Sequence, residues 1–153
     1  MTTMRTRLRG AAMLFALLGS TVAGAAAARG EPPSVVVYKS ALCGCCSKWV
    51  DHLRAGGFRV ATRDVKDLTA VEARYGVPKG LVSCHTALTG GYVIVGHVPA
   101  DVIQRLLEER PAVARISVPG MPGGAPGMEG AVRRPYDVVA FDRAGHTRVY
   151  ASW

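Results

Sequence analysis

The chain lacks most of the motifs that usually announce a function. No glycine-rich phosphate loop, no HExxH and no GxSxG occurs, which removes nucleotide hydrolysis, zinc proteolysis and serine hydrolysis from consideration. There is no Lys/Arg run interleaved with aromatics, so nothing offers nucleic acid a surface. Acidic side chains are the scarcer charge, 11 against 19 basic ones, giving a formal +8. Three of those arginines sit in the first nine residues; without them the balance falls to about +5, spread along the chain and read as solvated surface.

A membrane-spanning run is also missing. Arg5, Arg7 and Arg9 precede an apolar stretch from Ala11 to Val22 and an alanine-rich exit, Ala25 to Ala28. The stretch is rich in Ala and Gly and shorter than the roughly 20 strongly apolar residues of a spanning helix. Residues 1–28 are therefore expected to be a cleaved signal peptide. No cysteine lies near the cut and no twin-arginine pair precedes it, so export by the general route to a periplasm is expected, with no stable membrane insertion after cleavage. Roughly 125 residues then remain, enough for one compact domain.

Cysteine is sparse too, but its placement is informative. Three of the four cysteines fall in one window, Cys43-Gly44-Cys45-Cys46, and the fourth lies in Ser83-Cys84-His85-Thr86. The window sits where the β-branched run Ser34 to Lys39 meets a helical pattern, Cys46, Trp49, Val50 and Leu53, closed by Gly56-Gly57. Thiols in a first helical turn ionise readily, and the thiolate is both nucleophile and metal ligand. Adjacent Cys45 and Cys46 cannot easily pair, so two structural disulfides are a poor account of an exported chain with this spacing.

Downstream, Phe58 to Val65 reads as a second strand and Asp67 to Tyr75 as a short helix stopped by Gly76 and Pro78. His85 to Thr89 and Tyr92 to Val95 read as a hairpin about Gly90-Gly91. Pro99 opens a third helix striped by Val102, Ile103, Leu106 and Leu107 and ended by Arg110-Pro111. The order βαβαββα over residues 34–111, with cysteines between the first strand and helix, resembles the thioredoxin-like α/β fold. Residues 112–153 then hold a Pro/Gly/Met segment, Val118 to Gly130, whose composition forbids helix or strand, and a C-terminal β-hairpin, Tyr136 to Asp142 with His146 to Tyr150. The segment is expected to be an exposed or folded-back loop and the hairpin to extend the sheet or cover the site, the two together packing on the core.

In thioredoxin-like architecture the loop before the third strand packs beside the cysteine helix. A proline usually stands there; here Cys84 does, so it is expected to face Cys43, Cys45 and Cys46. Cys43 and Cys46 alone have the CxxC spacing of thiol–disulfide exchange, a reading that stays open. Extra thiols at Cys45 and Cys84 suit a soft metal better. Thiolates favour Cu(I), zinc and iron–sulfur centres, and CxCC packs sulfurs closely enough to bridge several cuprous ions, whose charge offsets the thiolates. Met121 and Met128 are candidate thioether donors and His85 a candidate ligand beside Cys84. His97 is expected to be structural, and His52 and His146 to lie at the surface.

Taken in order, Tyr38 to Cys46, Ser83-Cys84-His85-Thr86, Gly90-Gly91-Tyr92-Val93, Gly96-His97-Val98-Pro99, Val118 to Pro122 and Pro126 to Gly130 are similar to the exported CxCC metal-binding family long catalogued as of unknown function. Its better-known members are the CopG-type periplasmic copper-resistance proteins. The resemblance covers essentially the whole mature chain. It implies a thioredoxin-like domain whose Cys43, Cys45, Cys46 and Cys84 hold a multinuclear, thiolate-bridged Cu(I) cluster. It also implies a role in copper tolerance, with copper ions and other periplasmic copper-handling proteins as partners.

Overall fold

A computed structural model describes residues 30–130 and 132–153; the expected signal peptide, residues 1–28, lies outside the described residues. The run SVVVYK forms β1 (Ser34–Lys39), and the cysteine window leads into α1 (Gly44–Ala55). There follow β2 (Arg59–Asp64), α2 (Leu68–Arg74), a single 3-10 turn at Lys79–Leu81, β3 (His85–Thr89), β4 (Tyr92–Val95) and α3 (Ala100–Glu109). The tail adds β5 (Arg115–Ser117), β6 (Asp137–Phe141) and β7 (Thr147–Ser152). Through α3 this is the βαβαββα order expected from the pattern, and the fold is α/β.

One seven-stranded sheet runs β2-β1-β3-β4-β5-β6-β7. β1 and β2 are parallel, as a strand–helix–strand crossover requires. β3 is antiparallel to both β1 and β4, its turn made by Gly90 and Gly91 at φ 54° and 89°, the left-handed pair that a two-residue hairpin demands. β5 went unanticipated. Arg-Ile-Ser between two proline-bearing loops is too short to show a period of two, and its place is set by parallel pairing with β4. The C-terminal hairpin extends the sheet through antiparallel pairing of β6 with β5.

Alternation along the strands divides the core. Val35, Val37, Ala87, Ile94, Ile116, Val138 and Ala140 face Trp49, Val50 and Leu53 of α1 and Val102, Ile103 and Leu106 of α3. Val93, Val95 and Phe141 face the other way, against Tyr75, Val77 and Leu81 at and beyond the end of α2. α1 and α3 approach so closely that a Cβ at Gly56 would stand 2.7 Å from that of Ala100.

His52 departs from its expected surface position. It is half-buried at this junction, where its Nε2 accepts the Ala100 N–H (3.0 Å) at the start of α3. Pro99 supplies no side-chain cap there, so an imidazole from α1 satisfies one of the amide donors that a helix N-terminus leaves free. Burial holds the His52 pKa below its ordinary value, against the opposing pull of Glu129 and Asp101. A lowered histidine pKa means that the unfolded chain takes up a proton more readily than the folded one, so stability is complete above about pH 6.5 and falls as pH drops below it. Thermal melts should show His52→Gln, which keeps an acceptor, with a flatter loss of Tm between pH 7 and 5 than the parent. His52→Ala should cost about 1 kcal/mol even at neutral pH. An unchanged acid slope in the glutamine variant would contradict this assignment.

Candidate metal centre

The site lies at the carboxyl end of β1. Ser40 and the turn that follows it carry the chain into α1, and the Cys43 N–H donates to the Ser40 carbonyl (3.1 Å). Cys43 is the N-cap residue: its Sγ accepts the Cys46 N–H (3.3 Å), while its carbonyl accepts from the Ser47 N–H (3.2 Å) and hydroxyl (3.3 Å). No acidic residue occupies the first turn of α1, so the positive end of the helix is offered to sulfur alone.

Cys84, brought from the loop before β3, closes the group. All four sulfurs lie within 4.8 Å of one another. Cys43 and Cys46 are joined as a disulfide, and Cys45 and Cys84 are free thiols. The Cys45 Sγ stands 3.5 Å from that of Cys43 and 3.9 Å from that of Cys84. Cys46 is fully buried, its sulfur 3.3 Å from the Cys84 carbonyl oxygen, while Cys45 and Cys84 are partly exposed. Burial, followed by the neighbouring Cys45, pushes the Cys84 thiol up to about 12. Without a nearby cation this pocket does not favour a second negative sulfur.

Two histidines adjoin the same sulfur. The His85 Nδ1 lies 3.4 Å and the His97 Nε2 3.0 Å from the Cys84 Sγ. Sequence reasoning carried His85 as a candidate and read His97 as structural. His97 lies thirteen positions after Cys84, across a hairpin, and only the return of β4 beside β3 brings them together. Both rings are fully buried. His85 packs against Trp49 with centroids 4.2 Å apart and planes tilted by 36°, and meets His97 edge-on at 4.9 Å. Burial, reinforced by His97, pushes His85 down to about 3, and burial also lowers His97; both are neutral imidazoles at ordinary pH.

The Pro/Gly/Met segment contains neither helix nor strand and folds back over this site. The Ser83 hydroxyl donates to the Gly120 carbonyl (2.6 Å), and Ala125 is fully buried. His97 Nδ1–H donates to the Pro126 carbonyl (2.7 Å). Since a carbonyl only accepts, the proton of neutral His97 sits on Nδ1 and the lone pair of Nε2 points at Cys84. Gly127, at φ 84°, lies so close to α1 that a Cβ there would stand 2.7 Å from the Cys45 carbonyl oxygen and 2.9 Å from the Trp49 nitrogen. Glu129 secures the turn by accepting the Gly127 N–H (2.7 Å), a bond that holds its carboxyl below the usual range.

The remaining candidates are placed less closely. Met128 follows Gly127 and is partly buried, whereas Met121 is 56% exposed. His146 is exposed, as expected, and pairs with Asp142 (2.8 Å). Among the described residues no helix is long and apolar enough to cross a membrane.

Comparison with known proteins gives a consistent result. Residues 81–128 match the family described as "Protein of unknown function, DUF411"; that stretch runs from the end of the 3-10 turn through Cys84 and His97 to Met128. Two solved structures, titled as forms 2 and 1 of the copper resistance protein CopG, are each 44% identical in sequence over 80% of this chain. Form 2 superposes with a TM-score of 0.76 and 99% of its own chain covered, form 1 with 0.75 and 98%. No curated protein sequence is significantly similar to the chain.

The approach of Gly127 to α1 leads to a direct test. Gly127→Ala forces a left-handed alanine, costing about 1–2 kcal/mol, and adds a backbone clash that must lift the segment off α1. The melting temperature should fall by several degrees, and iodoacetamide should alkylate Cys45 and Cys84 faster. Gly130→Ala, where a Cβ meets nothing within 4 Å, should change neither. Equal alkylation rates in the two variants would show that the segment does not cover the thiols.

Proposed function

The chain belongs to the family of the copper resistance protein CopG, and from that premise we propose that it is a periplasmic copper-binding protein acting in copper resistance or homeostasis. Its cargo is a thiolate-bridged cluster of Cu(I) ions held by Cys43, Cys45, Cys46 and Cys84 on a thioredoxin-like core. The observation that carries this reading is the convergence of four sulfurs within 4.8 Å from two separate segments.

The chemistry of the donors supports it. Thiolates are soft, and Cu(I) is the soft member of the biologically common ions they select. Each cuprous ion brings one positive charge to a pocket where a second thiolate is disfavoured, so several ions and four thiolates approach neutrality together. The start of α1 assists by directing amide N–H groups at the sulfurs of its first turn. Cys43 and Cys46 become ligands only as thiols, and opening their disulfide takes two electrons and two protons from a dithiol reductant. His85, whose Nδ1 lies 3.4 Å from the Cys84 sulfur, is a candidate neutral nitrogen donor to the cluster. Met128, next to the contact with α1, is the better placed of the two thioether candidates, and Met121 is exposed.

One observation favours a second reading. The Cys43–Cys46 disulfide is the oxidised state of a CxxC thiol–disulfide oxidoreductase, with Cys45 as a bystander. Copper binding is preferred because that chemistry needs neither Cys45 nor Cys84.

Fully reduced protein, titrated anaerobically with Cu(I) against a chromogenic chelator, should bind more than one ion per chain, and Cys45→Ser should lower that number. Saturation at one ion or none with four thiols counted would overturn the cluster. For the rival, insulin reduction should survive Cys45→Ser and vanish in Cys43→Ser; absence of turnover in the parent would exclude it.

A further inference from the structure

We propose that Cys84, His85 and His97 form a separate seat for a single Cu(I) ion, one that stays competent while Cys43 and Cys46 are joined as a disulfide. This rests on the copper-binding reading and adds to it a capacity that depends on the redox state of the chain.

The disulfide takes two of the four sulfurs out of metal binding. Three donors beside it are untouched: the Cys84 Sγ, the His85 Nδ1 at 3.4 Å from it and the His97 Nε2 at 3.0 Å, all three within 4.8 Å of one another. Metal–sulfur and metal–nitrogen bonds of about 2.3 and 2.0 Å at tetrahedral angles place sulfur and nitrogen about 3.5 Å apart. The His85 spacing of 3.4 Å is close to that value and the His97 spacing of 3.0 Å is about half an ångström short of it, so an ion enters once the His97–Cys84 contact opens by that amount.

Orientation and burial point the same way. The Pro126 carbonyl keeps the proton of His97 on Nδ1 and leaves the Nε2 lone pair facing Cys84, the arrangement in which a metal-binding histidine gives its other N–H to a carbonyl. His85 is fully buried, yet its Nε2 has no hydrogen-bond partner among the described residues. The ring's polar contact in the structure is from Nδ1 to the Cys84 sulfur at 3.4 Å, so Nδ1 is the nitrogen it offers an ion, with the proton of the neutral ring on Nε2.

Charge selects the ion. One thiolate with two neutral imidazoles and Cu(I) gives a neutral assembly, whereas a divalent ion leaves a net positive charge among fully buried rings. On binding, the Cys84 S–H gives up its proton to solvent, the sulfur bonds copper, and no electron changes hands. Because Cys84 is also within 3.9 Å of Cys45, its sulfur belongs to both donor sets. A first copper seated here is in place to be bridged into the larger cluster once Cys43 and Cys46 are reduced.

The test uses the full mature chain with its disulfide intact, titrated with Cu(I) under nitrogen without reductant. One ion per chain should bind, and X-ray absorption should show one sulfur and two imidazole nitrogens around it. His97→Gln and His97→Phe should abolish that equivalent in the oxidised chain yet leave more than one Cu(I) bound by the reduced chain. Cys45→Ser should leave the oxidised-state equivalent in place. Since a histidine variant could simply misfold, Cys43→Ser/Cys46→Ser supplies an independent arm: with both sulfurs of the disulfide gone it should still bind one Cu(I) with the same absorption signature. No copper in the oxidised chain, two sulfurs around the ion, or loss of binding in Cys45→Ser would overturn the proposal while leaving the cluster standing. A reduced parent that also binds none would instead remove the copper reading itself.

Discussion

The indole of Trp49 is the interaction on which the rest of the site depends. It is fully buried in the second turn of α1, and its Nε1–H donates to the Val98 carbonyl (2.8 Å), pinning the loop that carries His97. Its ring packs, tilted by 36°, against His85 of β3, and its backbone is the surface against which Gly127 closes. One side chain thus ties together the helix bearing three cysteines, the strand following the fourth, the second histidine and the covering segment. A buried aromatic can do this because its large area resists displacement while its single polar atom fixes its rotation.

That hub explains what was legible in the sequence and what was not. The periodicities of Ser34 to Lys39 and of Cys46, Trp49, Val50 and Leu53 are local properties, and β1 and α1 follow them closely. Gly90-Gly91 announces its hairpin for a conformational reason that no neighbour can override. The gathering of Cys84 with the CxCC window was reachable only through fold-level resemblance, because it depends on pairing of β1 with β3 across most of the core. His97, β5 and the cap that His52 places on α3 were out of reach for the same reason. Each is defined by a partner distant in the chain, and none leaves a periodic or compositional mark of its own.

The covering segment carries a related lesson. Its Pro/Gly content correctly excludes regular structure, yet that composition also suits a solvated linker. What separates the two is contact: Ala125 is fully buried and Gly127 fits where no side chain could. Glycine serves here for close approach of two backbones as well as for its left-handed φ. The segment therefore acts as a tightly fitted cover whose proline carbonyl orients an imidazole.

Beneath these details lies a conflict between sulfur and burial. The start of α1 favours thiolate, while the depth of Cys46 and the crowding at Cys84 disfavour accumulated negative charge. The chain has two ways out: to join two sulfurs as a disulfide, which removes their charge, or to admit soft cations, which neutralise it. The structure adopts the first for Cys43 and Cys46, leaving Cys45 and Cys84 as free thiols beside His85 and His97. Under the proposed copper function, disulfide and metal would compete for the same two sulfurs, and a copper capacity built on all four would vary with the reducing power around the protein. A site of this kind differs from a rigid four-cysteine zinc knuckle, whose ligands pair by CxxC spacing and gain nothing from an extra thiol between them. Here the inserted Cys45 stands between the oxidisable pair and the fourth sulfur, 3.5 Å from Cys43 and 3.9 Å from Cys84, a placement that the proposed cluster would use by sharing sulfurs.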